Sequence, residues 1–226
     1  MTLDQALAEL KSLIEPGRAE GQAKYHKQSR DVLGIPNPAL NDITKSWRQS
    51  LSVDDRVTLA DQLWQTDIFE ARIAAAKLLT QARIRPDNAV WALIQSWVPD
   101  FDSWAIADHV CMAGQKRLLA DPSRIDAVED WTRSDHMWTR RAAMVITLPW
   151  TKQNHPKPAE LAIRDRVLGW AAAYVDDPEW FIQKSIAWWL RDLSKHDAAR
   201  TRAFLDHYGD RMKPFAHKEA GKYLGR

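Results

Sequence analysis

Apolar residues near the start of the chain fall at helical spacing. Leu3, Leu7, Leu10 and Ile14 share one face, and Pro16-Gly17 then supplies a stop signal. A second helical stretch is expected from about Gln22 to Leu33, closed by Gly34-Ile35-Pro36-Asn37-Pro38, where two prolines forbid continuation. Ser52-Val53-Asp54-Asp55 and Asp67-Ile68-Phe69-Glu70 both read as capping boxes, each opening a helix of about 12 to 16 residues. The pattern continues: Asp87 precedes Val90 to Ile94, Asp121-Pro122 precedes Ile125 to Trp131, and Ser134-Asp135 precedes Trp138. Pro158 precedes Leu161 to Tyr174, and Pro178 precedes Phe181 to Leu193. Proline thus sits at helix starts or in joints and never in an apolar interior.

Two such helices with their turns occupy about 35 to 45 residues, the period of HEAT-type repeats. The expected class is all-α, with a solenoid of antiparallel helix pairs as one architecture and a compact helical bundle as the other. A length of 226 residues suits a single domain over 1–226, without a second independent one.

Composition sharpens this picture at a few points. Apolar (45%) and charged (27%) shares are those of an ordered globular protein, so no stretch is expected to be disordered. There are only 8 glycines but 12 tryptophans. Most of those rings are expected in the core, and some on a working surface, because a buried indole N–H needs a partner. Cys111 is the only cysteine, which excludes an internal disulfide and suits a reducing compartment. The acidic, amphipathic start lacks the basic flank and apolar block of a secretory signal, so a cytoplasmic location is expected. Mean hydropathy is −0.47, and no apolar run approaches the roughly 20 residues that span a bilayer. Net charge is only +2, so any nucleic-acid binding requires Lys and Arg to segregate onto one face.

Gly-rich phosphate loops, nucleophile elbows, paired metal-spaced histidines, helix-turn-helix and zinc-finger patterns are absent from the sequence. Asp108-His109-Val110-Cys111 is not a metal site, because consecutive helical residues fan apart around the axis. Trp104 and Asp108, four apart, place a ring and a carboxylate on one helical face. That arrangement suits cationic chemistry, but spacing alone favours a core Trp beside a solvated acid. Arg140 and Arg141 point different ways, so at most one aims at a given site, with phosphate the natural ligand of its guanidinium fork. In Phe181 to Arg191, Lys184 lines up with Trp188 at i, i+4 and Arg191 follows three later, a basic and aromatic stripe suited to DNA backbone and sugar. Of Trp188 and Trp189, one is expected in the core and one in a groove.

In order along the chain, four segments carry a resemblance: Leu33-Gly34-Ile35-Pro36 with Pro38, Trp104-x-x-x-Asp108, Trp138-x-x-Arg141-Ala142-Ala143, and Phe181-Ile182-Gln183-Lys184-x-Ile186-x-Trp188. Together they resemble the AlkD-like DNA alkylation repair glycosylases, over most of the chain. The resemblance implies a right-handed superhelical HEAT-like solenoid that acts, as a monomer and without metal or organic cofactor, on duplex DNA containing alkylated purines. It implies an active surface of Trp104, Asp108, Arg141 and Trp188. Ala105 departs from the family, which often has an acid or polar residue there; this bears on rate or substrate range. The implied reaction releases 3-methyladenine or 7-methylguanine without a deep base pocket. Asp108 would stabilise the sugar cation and orient water, the two tryptophans would flank sugar and lesion, and Arg141 would hold a phosphate. Lys27, Arg30, Lys184, Arg191, Lys218 and Lys222 are the expected further backbone contacts. Two other uses of such a fold stand beside this one: a noncatalytic reader of damaged or branched DNA, and a protein-binding scaffold.

Overall fold

The structure is a computed structural model that describes residues 1–225. The described residues form thirteen α-helices and no strand, so the chain is all-α. The helices are α1 (Leu3–Lys11), α2 (Arg18–His26), α3 (Asn37–Ser50), α4 (Val53–Gln65), α5 (Phe69–Leu78), α6 (Asn88–Trp97) and α7 (Trp104–Ala120). They continue as α8 (Ile125–Trp131), α9 (Met137–Ile146), α10 (Pro158–Ala173), α11 (Trp180–Ser194), α12 (Ala198–Tyr208) and α13 (Pro214–Ala220). No helix among them is long and apolar enough to cross a membrane. The residues group into two compact units, Met1–Ala120 and Asp121–Arg226.

In the first unit α5 is the central helix, buried at every position from Phe69 to Leu78 and packed against α3, α4 and α7. A helix buried on all sides needs neighbours on all sides, and its charged residues Glu70, Arg72 and Lys77 each find a polar partner there. The row α3–α5–α7 lies against α4 and α6, and the loop of three residues between α4 and α5 makes that pair antiparallel. Trp64 and Trp97 stack at 4.5 Å and 7° in this core, and Trp47 is buried as well. The second unit repeats the plan. There α11 packs against α9, α12 and α13, with α10 against α9 and α12. Such stacking of helix pairs is the repeat expected of a solenoid.

Both units staple a loop with a buried arginine. Arg117, fully buried, donates to the carbonyls of Gln81 (2.7 Å), Ala82 (3.0 Å) and Ile84 (3.3 Å) and pairs with Asp87 at 3.2 Å. Arg164, 1% exposed, donates to the carbonyls of Trp150 (2.7 Å) and Gln153 (2.5 Å) and meets Asp197 at 3.4 Å. A guanidinium has five donors in a fixed fork, enough to tie several loop carbonyls at once.

Three sequence expectations are corrected at the N-terminal end. Helix α1 stops at Lys11, before Ile14, which is exposed, and Pro16-Gly17 opens α2 instead of closing α1. Helix α2 ends at His26, far short of Leu33, because Lys27 turns left-handed (φ 52°) and Gln28 N–H bonds back to the Ala23 carbonyl. Beyond it the chain is an extended strap. Glu70 fixes that strap. The Asp67–Glu70 segment is no capping box: Ile68 stands at the helix boundary without a side-chain cap, and the Glu70 carboxylate, 1% exposed, accepts the amides of Leu33 (2.8 Å), Gly34 (2.8 Å) and Ile35 (3.1 Å). Asp67 pairs with Arg30 and Arg72 instead. The Ser52 cap does form, its Oγ accepting the Asp55 amide at 3.1 Å.

Candidate functional site

Seven of the 12 tryptophans are buried: Trp47, Trp64, Trp91, Trp97, Trp150, Trp170 and Trp189. The rest keep some surface, Trp104 and Trp188 among them.

In the first unit, Trp104 is the first residue of α7 and forms a wall of a cavity of about 630 Å³. The opposite side comes from α2, which contains no fully buried residue. Tyr25, His26, Phe69, Trp104 and His109 bring rings to the lining, beside Arg18 and Glu70. His26 lies 5.0 Å from Trp104 and 4.8 Å from Phe69, ring centre to ring centre, and Tyr25, 71% exposed, meets the Trp104 ring edge-on at 5.9 Å. His109, one turn beyond Ala105, completes the wall and bonds through Nδ1 to the Ala105 carbonyl at 2.7 Å. Asp108 is half-buried and shares the Trp104 face of α7, four residues on.

Electrostatics keeps this wall uncharged at its imidazoles. Burial, reinforced by the nearby Lys77 ammonium, pushes His109 down to about 4, and burial lowers His26 against the opposing pull of Glu70. Both are neutral at pH 7. With Nδ1 donating to Ala105, the neutral His109 ring keeps Nε2 as an acceptor. Ring faces and neutral imidazoles suit a flat cation better than an anion; Asp108, one helical turn from Trp104, is not among the residues that line the cavity.

In the second unit, Arg141 on α9 is 3% exposed; its Nη1 donates to the Phe181 carbonyl at 3.3 Å and its guanidinium lies 5.7 Å from the Phe181 ring centre. Phe181, Lys184, Trp188 and Arg191 follow one stripe of α11. Trp188 is half-buried with its indole N–H on Asp192 at 3.2 Å, whereas Trp189 is fully buried with its N–H on Thr147 Oγ1 at 3.2 Å. Gln183 serves the fold: its amide donates to the Tyr174, Val175 and Asp177 carbonyls and its oxygen accepts the Lys213 amide.

The expected backbone contacts divide into two groups. Lys27, Lys218 and Lys222 are exposed. Arg30 is held between Asp67 (3.2 Å) and Asp102 (2.9 Å), while Lys184 and Arg191 share the Glu219 carboxylate. Paired cations offer a phosphate less than free ones do, since the partner must first be displaced.

Sequence reasoning missed Tyr25, His26, Phe69, Glu70 and His109. The one signal available was the Tyr25-His26 pair close to the N-terminal turn; what brings it to Trp104 is the strap on Glu70, a contact about 35 residues distant in the chain.

Solved structures share this fold. A structure described as a predicted DNA alkylation repair enzyme from Enterococcus faecalis superposes with a TM-score of 0.78 at 20% identity, covering 94% of this chain and 97% of the other. AlkD2 from Streptococcus mutans superposes with a TM-score of 0.65 at 18% identity, over 100% of this chain and 98% of the other. None of the curated proteins compared matches the sequence. The family model described as DNA alkylation repair enzyme matches residues 6–224, nearly the whole chain, and the protein belongs to that family.

Proposed function

We propose that this protein is a DNA glycosylase that hydrolyses the N-glycosidic bond of cationic alkylated purines, 3-methyladenine and 7-methylguanine, in duplex DNA. The observation that carries the reading is the partly exposed Trp104 ring, set in an aromatic wall one helical turn from the Asp108 carboxylate, in a chain of the alkylation repair family.

Alkylation at N3 of adenine or N7 of guanine makes the base a cation, so breaking its bond to C1′ releases a neutral leaving group with little need for a general acid. Positive charge passes to the deoxyribose, which becomes oxocarbenium-like. A carboxylate fixed nearby stabilises that charge and orients the water that attacks C1′. Asp108 takes this role. Trp104 is assigned to the lesion and sugar, a ring face contributing roughly 0.5 to 2 kcal/mol toward a bound cation, and the same role for Trp188 is carried over from the family resemblance. Arg141 is assigned to the lesion-side phosphate. Its burial against Phe181 also makes it a strut between α9 and α11. Lys27, Lys218 and Lys222 supply exposed charge for the backbone.

The test is single-turnover excision from a methylated duplex by the wild type, Trp104→Ala and Trp188→Ala. Excision by the wild type and at least about tenfold slower excision by each variant, with duplex affinity largely kept, supports the reading. Salt-dependent duplex binding without excision would leave a reader of DNA shape, and no duplex binding at all would leave a scaffold.

A further inference from the structure

One cluster of charge contributes no residue to the lining of the Trp104 cavity, although its Lys77 lies near His109. Between the C-terminal turns of α3 and α5, in the first unit, a groove of about 280 Å³ is lined by Lys45, Arg48, Gln49, Thr80 and Gln81. Arg48 spans it, Nη1 donating to the Lys77 carbonyl at 2.6 Å. Arg56, 7% exposed, adjoins it with Nη1 on Gln81 Oε1 at 2.5 Å and Nε on the Ser52 carbonyl at 3.2 Å. Lys77, 9% exposed, donates to Asn41 Oδ1 at 2.5 Å.

Every one of these acceptors is neutral. Elsewhere in the same unit, Arg30, Arg72 and Arg117 each sit on an aspartate, but no carboxylate among the described residues pairs with Lys45, Arg48, Arg56 or Lys77. The carbonyl ends of α3 and α5 offset part of this charge. Two helix C-termini carry about half a negative charge each, against four full positive ones. The mutual repulsion is felt: besides burial, Arg56 lowers Arg48, and Arg48 lowers Lys77, which falls to about 8. An arginine that spends one of five donors on a carbonyl retains the others for a ligand.

We infer that this groove seats a phosphodiester of the DNA backbone, contacted by Lys45 and Arg48 at its surface and backed by the buried charges of Arg56 and Lys77. None of these four belongs to the backbone contacts expected from sequence. The inference rests on the proposed action on DNA. It adds a fixed anchor in the first unit, where Arg30 is already committed to aspartates.

The test uses the full-length protein and a fluorescently labelled, undamaged duplex, with affinity read by anisotropy over a series of salt concentrations. The surface pair Lys45→Gln with Arg48→Gln is compared with the charge-preserving pair Lys45→Arg with Arg48→Lys, after thermal melting has shown that both are folded. The neutral pair is expected to bind at least tenfold more weakly at low salt, with the slope of log K against log salt reduced by about 1 to 2; the charged pair keeps the wild-type slope. An unchanged slope and affinity in the neutral pair overturns the seat. Base release from methylated duplex by the same wild-type preparation separates the two claims. Release with an unchanged slope removes the seat alone, whereas a reduced slope without release keeps the seat and removes the glycosylase.

Discussion

Glu70 is the residue on which the site geometry most depends. Its carboxylate takes three strap amides and so holds Gly34 and Ile35 against α5, at the base of the aromatic cavity. Glu70→Gln replaces one acceptor oxygen by an NH₂ that confronts a strap amide, so at least one buried donor loses its partner. The expected cost is about 2 to 3 kcal/mol, read as a lower urea midpoint with an unchanged m value. A stability within about 0.5 kcal/mol of wild type contradicts the clamp. At this scale the sequence was partly legible. Trp104 with Asp108 and Phe181 with Lys184 and Trp188 were recognisable because helical spacing alone puts them on common faces. Glu70 reads in the sequence as a local cap because an acid three residues after an aspartate looks the same whether its partners are adjacent or about 35 residues away. Charge compensation was equally hidden: Lys184 and Arg191 looked like phosphate ligands until Glu219 came to both of them.

Among the elements, the strap and the arginine-stapled loops decide how the helix rows are spaced. Gly34 has φ +84°, and a Cβ there would lie 2.8 Å from the Ala19 backbone nitrogen. Gly34→Ala is therefore both conformationally strained and overcrowded against α2. It should cost about 1 to 3 kcal/mol and loosen α2, seen as faster amide exchange over Arg18–His26. Wild-type exchange in that helix contradicts the close approach. Arg117→Met keeps an unbranched stem but not the guanidinium, so it removes the bonds to three loop carbonyls and Asp87, with an expected loss of about 3 to 5 kcal/mol read from the urea midpoint. Helix starts were legible where proline or a polar cap fixes them, as at Ser52, Asp121 and Pro158. The end of α2 was not, because nothing local marks Lys27 as the left-handed residue; the strap's pairing with Glu70 draws the chain out of helix.

For the molecule as a whole, the neutral imidazole wall couples stability to pH. His109 titrates at about 4 when folded against 6.5 as its ordinary value, so between these values the unfolded chain binds the proton and the folded chain does not. Stability from this group is therefore complete above about pH 6.5, drains away as pH falls, and declines no further below about 4. The lowered His26 acts in the same direction. Urea midpoints followed from pH 7 to pH 4 should fall, and His109→Gln should flatten that decline; an equal slope in both proteins contradicts it.

The same neutrality, set beside Trp104 and Asp108, underlies the proposed preference for a cationic base. The most direct test is mass spectrometry of the bases released from a methylated duplex by the wild type and by Asp108→Asn. The account predicts 3-methyladenine and 7-methylguanine from the wild type and a rate about 10² to 10³ lower from Asp108→Asn at similar duplex affinity. Equal release by both proteins, or no release by the wild type, would contradict it.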